Sequence, residues 1–171
     1  ESAISVLTKV LEDLDQEPMV RHEAGEALGA IGSSEAISVL QKYVDDPVKE
    51  VAETCELALE RIKWLKDGKN EELLSKNPYN SVDPAPPVNS TDISKLKTIL
   101  LDENENLFDR YRAMFSLRNM QTKESVLALC CALNCGSALF RHEIAFVLGQ
   151  LQEDVSVPFL VKSLEDSGEN E

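Results

Sequence analysis

Two histidines occur in this chain, and each sits in the same short pattern. Arg21-His22-Glu23, with Leu28-Gly29 and Ile31, matches Arg141-His142-Glu143, with Leu148-Gly149 and Leu151, at a shift of 120. The shared pattern is R-H-E-x4-L-G-x-[IL]. Imidazole beside carboxylate is a donor set for iron, manganese or zinc. Neighbouring residues on a helix point about 100° apart, so one His-Glu pair does not close a metal site by itself. The spacing H-E-x-x-H, which puts two histidines on one helical face, does not occur. A metal held by these residues therefore needs ligands from more than one helix. A structural reading stands beside this one: a glutamate near a helix N-terminus favours the dipole, and a partly buried histidine can simply be hydrogen-bonded.

The elements that carry the two motifs repeat. Ala3-Ile4-Ser5-Val6-Leu7 recurs as Ala36-Ile37-Ser38-Val39-Leu40, a shift of 33. Val20, Ala24, Ala27, Leu28 and Ile31 recur as Val51, Cys55, Ala58, Leu59 and Ile62, a shift of 31. Arg110, Phe115 and Leu117 recur as Arg141, Phe146 and Leu148, again at 31. Self-similarity of about 30 residues is the mark of a stacked helical solenoid. The apolar spacing predicts helix pairs at 3–14 with 18–31, 35–45 with 48–66, 92–101 with 108–120 and 123–134 with 138–151, then a last helix at 155–165. Pro18 and Pro47 mark helix starts, and Gly32 marks a helix end. Gly25, Gly29 and Gly149 weaken their helices and are expected to let neighbouring helices approach closely.

Asp67-Gly68-Lys69-Asn70 and Ser81-Val82-Asp83-Pro84-Ala85-Pro86-Pro87 interrupt this pattern with turn and polyproline chemistry. The expected fold is therefore all-α, a HEAT-like α-solenoid of antiparallel helix pairs in two halves joined by a Pro-rich linker. The halves are expected at 1–66 and 92–171, with the linker at 67–91. Both R-H-E motifs fall in the first turns of second helices. The other two second helices carry Glu53-Thr54 and Tyr111-Arg112 at the same place, so the fold does not itself require His-Glu there.

Composition excludes several partners. With 31 acidic and 17 basic residues the formal charge is -14, which disfavours a nucleic acid backbone and would steer a cationic ligand or a basic protein inward. No apolar stretch approaches the length of a membrane span, so no membrane partner is expected. Cys55, Cys130, Cys131 and Cys135 form no CxxC pair, which argues against a disulfide framework or a zinc finger. Most of them are expected on apolar helical positions as small hydrophobes, in a reducing, intracellular compartment.

At the motif residues the chain resembles deoxyhypusine hydroxylase. The resemblance is carried by the run from Glu17 to Gly32, by Val51-Ala52-Glu53-Thr54-Cys55, by Ser81 to Pro87, by Arg110-Tyr111-Arg112-Ala113-Met114-Phe115 and by Cys135 to Glu143. It extends into the Pro-rich linker, which HEAT repeats in general do not share. It implies a cytoplasmic monooxygenase that uses a non-haem di-iron centre and oxygen. The substrate it implies is the deoxyhypusine side chain of a translation initiation factor, which is converted to hypusine. By the resemblance, His22, Glu23 and His142 are iron ligands and Glu143 holds the substrate's amine.

The family carries four His-Glu motifs, and this chain has two, with the other two expected before residue 1 and after residue 171. The chain therefore reads as a central fragment, its first half truncated at the start and its second at the end. Its iron site is expected to be incomplete or absent, and the fragment alone inactive. Three other readings compete. One is a non-catalytic HEAT-repeat scaffold for protein interaction, which leaves the paired motifs without a purpose. Another is a bilin-lyase-like repeat protein, which would bind pigment rather than iron. The third is association of two copies that rebuild a partial site.

Overall fold

The computed structural model describes residues 2–67 and 76–168. Part of the expected linker, residues 68–75 with the Gly68-Lys69-Asn70 turn, lies outside the described residues. The described residues contain helices and no strand. Two units form: residues up to 67 group with 82–85, and residues 76–81 group with 86–168. The linker sequence is thus shared between the units, Val82–Ala85 folding with the first.

In the first unit, α1 (Ser2–Glu12) pairs with α2 (Pro18–Ile31). A 3-10 turn at Ser34–Ala36 leads into α3 (Ile37–Lys42), which pairs with α4 (Lys49–Asp67). Pro18 occupies the first turn of α2, where its missing N–H would have lacked a partner anyway. Gly32 ends α2 in the left-handed region at φ 72°, with its N–H donating to Leu28 O. Pro47 lies just before α4 rather than in it. There Asp46 Oδ1 accepts from Val48 N at 2.9 Å, and Val48 O accepts from the N–H groups of Val51 and Ala52. Leu11, Leu28, Leu40, Val51, Cys55 and Ile62 form the core between these helices.

Helices α2 and α4 approach closely because two small residues meet. A Cβ built on Gly29 would stand 2.7 Å from Ala58 Cβ and 2.9 Å from Ala58 Cα. One built on Gly25 would stand 3.1 Å from Thr54 Cγ2. The packing role expected for these two glycines is present. Gly149 differs: nothing lies within 4 Å of a Cβ added there, because it sits on the exposed face of its helix.

The second unit contains α5 (Ile93–Leu101), α6 (Leu107–Met120), α7 (Lys123–Cys130) and α8 (Ala138–Leu151), then α9 (Val157–Leu164). Its helix starts are capped by side chains. Asp92 accepts from Lys95 N, Asn106 from Phe108 N and Ser137 from Phe140 N, while Thr122 and Ser125 form a reciprocal box. Helix α7 is shorter than its apolar pattern, continuing as a 3-10 turn over Cys131–Asn134. This turn leaves Cys131 exposed and Cys135 outside any helix. Only Cys55 and Cys130 have the buried, apolar role expected of the cysteines. Their thiols are pushed up by burial, Cys55 to about 12 and Cys130 to about 11.

The same anchor recurs in both units. Arg21 Nε donates to Leu11 O at 3.0 Å, and Arg110 Nε donates to Leu100 O at 3.1 Å. Each arginine thereby ties a second helix to the end of the first helix before it.

Candidate metal-ligand site

The N-terminal proline start and the Gly29–Ala58 contact set the register of α2 against α4, and that register buries His22. Its side chain is 4% exposed. His22 Nδ1 lies 2.5 Å from Thr54 Oγ1 on α4. The Thr54 hydroxyl donates its own proton to Glu50 O at 2.8 Å, so toward His22 it can only accept. With the imidazole proton on Nδ1, the neutral ring carries its lone pair at Nε2. A hydrogen bond that fixes the ring and chooses the coordinating nitrogen is the usual support of a metal-binding histidine.

Two carboxylates stand on the Nε2 side. Glu26 Oε2 is 3.7 Å away, one helical turn along α2, and Glu23 Oε1 is 4.0 Å away. The Glu26 side chain is 32% exposed and that of Glu23 is 72% exposed. Burial, then Glu23 and Asp83, raise the Glu26 carboxyl above its usual range. A cation placed among these groups would relieve that repulsion. Neutral imidazole with carboxylate oxygens fits iron, manganese or zinc.

His142 and Glu143 occupy the equivalent turn of α8 in the second unit. His142 is exposed and Glu143 half-buried. The difference between the histidines follows from the stacking. His22 is covered by α4, the second helix of the next pair, whereas only α9 follows α8 among the described residues. In the helices without the motif, the position of His22 is taken by Glu53 on α4 and by buried Tyr111 on α6, whose ring meets Phe140 edge-on at 5.5 Å. Sequence reasoning did not select Thr54 or Glu26. Glu26 was legible as the i+4 neighbour of His22. Thr54 stands one 31-residue repeat after Glu23, where the lack of a His-Glu pair drew attention away from it.

The HEAT repeats family matches residues 1–60, and the PBS lyase HEAT-like repeat family matches 109–135 and 140–166. The chain is 58% identical over 99% of its length to a deoxyhypusine hydroxylase of Drosophila melanogaster, and equally to one of Danio rerio. It is 55% identical over 98% of its length to that of Homo sapiens. Over almost its whole length the chain is similar to deoxyhypusine hydroxylases. A structure of human deoxyhypusine hydroxylase in complex with glycerol superposes with a TM-score of 0.93, covering 99% of this chain and 58% of that one. The chain spans about 56% of the length of the fly and fish relatives it matches. Among the described residues, no helix is long and apolar enough to cross a membrane.

Proposed function

We propose that this chain contributes half of the His-Glu repeats of a deoxyhypusine hydroxylase. That enzyme hydroxylates the deoxyhypusine side chain of a translation initiation factor to give hypusine. The observation that carries the reading is the support of His22. A buried histidine held at Nδ1 by Thr54 turns Nε2 toward the carboxylates of Glu23 and Glu26, in a chain 55–58% identical to deoxyhypusine hydroxylases. His22, Glu23 and His142 are assigned as iron ligands, and Glu143 as a group that pairs with an amine of the substrate. Glu26 joins the donors on the Nε2 side of His22.

When bound, iron would supply the activation of oxygen for insertion into a C–H bond. The chain's own residues do the rest. Thr54 holds the His22 ring, and Ala58 against Gly29 fixes the helix that carries it. Glu26, its carboxyl raised by burial and by its acidic neighbours, would have that repulsion relieved by a bound cation. The net charge of -14 favours approach of a side chain bearing amines. The absence of any cysteine pairing among the described residues accords with a cytoplasmic location.

The test is a chimera in which these 171 residues replace the matching segment of the human relative. With ferrous iron and oxygen it should add one oxygen to a deoxyhypusine-bearing substrate protein, and His22→Ala should abolish that addition. A folded, iron-loaded chimera that forms no product would contradict the reading.

A further inference from the structure

Arg110 and Arg21 occupy equivalent places in the two units, 89 positions apart. Both give Nε to a carbonyl ten residues upstream. Arg21 also gives Nη1 and Nη2 to the two oxygens of Asp46, at 3.3 and 2.5 Å. That pair is buried, with the side chains 4% and 1% exposed. The same shift of 89 carries Asp46 to Cys135. Arg110 is 4% exposed, its guanidinium carbon lies 4.0 Å from the Phe140 ring centre, and its Nη2 is buried with no hydrogen-bond partner among the described residues. The guanidinium points at the Cys135 segment: a Cβ built on Gly136 would lie 3.3 Å from both Nη1 and Nη2. Beyond Cβ, Cys135 has one side-chain heavy atom where aspartate has three, so the carboxylate that completes the arrangement in the first unit has no counterpart at this position in the second.

We propose that Cys135 is a peroxide-oxidation site whose sulfinate takes, against Arg110, the place that Asp46 holds against Arg21. The sulfinate supplies two oxygens and one negative charge, matching the fork of the guanidinium. In the first step the sulfur attacks one oxygen of hydrogen peroxide and the O–O bond breaks. The departing hydroxide takes the thiol proton as water, leaving a sulfenic acid. A second peroxide transfers its oxygen in the same way, giving sulfinate, one water and one proton; sulfur is oxidised and peroxide reduced at each step. Cys135 is partly exposed and so within reach of peroxide. In the resting state its Sγ donates to Cys131 O at 3.7 Å, and Glu103 Oε1 accepts from the neighbouring Gly136 N at 2.8 Å. Burial and Glu103 hold the thiol above its usual range while Arg110 pulls it down. The arginine's role is therefore to retain the oxidised product rather than to activate the thiol.

The experiment is titration of the purified protein with hydrogen peroxide, read by peptide mass, alongside melting of Cys135→Asp and Cys135→Ser. The expected result is two added oxygens on Cys135, lost in Arg110→Gln. Because Arg110→Gln can also loosen the fold, Cys135→Asp is the independent arm: it should raise Tm by about 3 °C, while Cys135→Ser should not. Oxygen accumulating on exposed Cys131 with Cys135 untouched, a Cys131–Cys135 disulfide, or a lower Tm for Cys135→Asp would each overturn the proposal.

Discussion

The hydroxyl of Thr54 on α4 accepts the Nδ1 proton of His22 on α2 at 2.5 Å, because its own proton is already given to Glu50 O. One helix pair therefore sets the tautomer of a histidine carried by the pair before it. Thr54→Val keeps the shape and deletes the acceptor, leaving a buried N–H without its partner. In the chimera this change should lower hydroxylation by about 10- to 100-fold and cost about 1–3 kcal/mol of stability. Thr54→Ser should restore most of both, as read by product mass and urea unfolding.

Glu26 carries the second expectation. Its folded-state carboxyl is raised by burial, Glu23 and Asp83, so the folded protein holds that proton more tightly than the unfolded chain. The group's contribution to stability is fully present below its ordinary value of 4.5 and is lost as pH rises through the folded value. Glu26→Gln should therefore stabilise the metal-free protein at neutral pH and flatten its stability profile between acid and neutral pH. In the chimera it should lower iron retained after anaerobic loading. Thermal melts across pH, with metal analysis, check both parts.

How far the sequence led is visible in these two residues. The 31- and 33-residue repeats located the helices to within a few residues, because apolar periodicity and the Pro18 and Gly32 signals are local. The motif placed His22 at a second-helix N-terminus for the same reason. That His22 is buried and His142 exposed depends on which helix lies beside each, and stacking is not encoded in either motif. Thr54 was hidden because a hydrogen-bond partner one repeat away has no signature of its own. Gly149 repeats the sequence position of Gly29 but lacks a neighbour like Ala58, so equal motifs do not imply equal packing.

That contrast gives a paired test. Gly29→Ala drives a methyl into Ala58 on α4, and overpacking of about 1–3 kcal/mol exceeds the helix-propensity gain. Gly149→Ala meets nothing and should stabilise by about 0.5–1 kcal/mol. Denaturant midpoints of the two variants should move in opposite directions; movement in the same direction would refute the packing account.

Asp46 predicts the acid limb of stability. Burial alone would raise its carboxyl, but the hydrogen bonds from Arg21 and the Val48 N–H outweigh burial and hold it below its ordinary 3.8. Its contribution is complete above that ordinary value and is lost as pH falls through the lower folded value. Asp46→Asn leaves Arg21 buried without its counter-charge and should cost about 3–5 kcal/mol at neutral pH. The gap from wild type should narrow in strong acid, as followed by helical circular dichroism.

Nitrogen-15 spectra of the imidazole rings test directly whether His22 offers Nε2. The chain has two histidines, and His22→Ala identifies the signals. The predicted result is a neutral His22 ring protonated at Nδ1, with Nε2 showing the shift of a lone-pair nitrogen, and loss of that fixed tautomer in Thr54→Val. A His22 ring protonated at Nε2 in the metal-free protein, unchanged by Thr54→Val, would contradict the assignment of this residue as a preformed iron ligand.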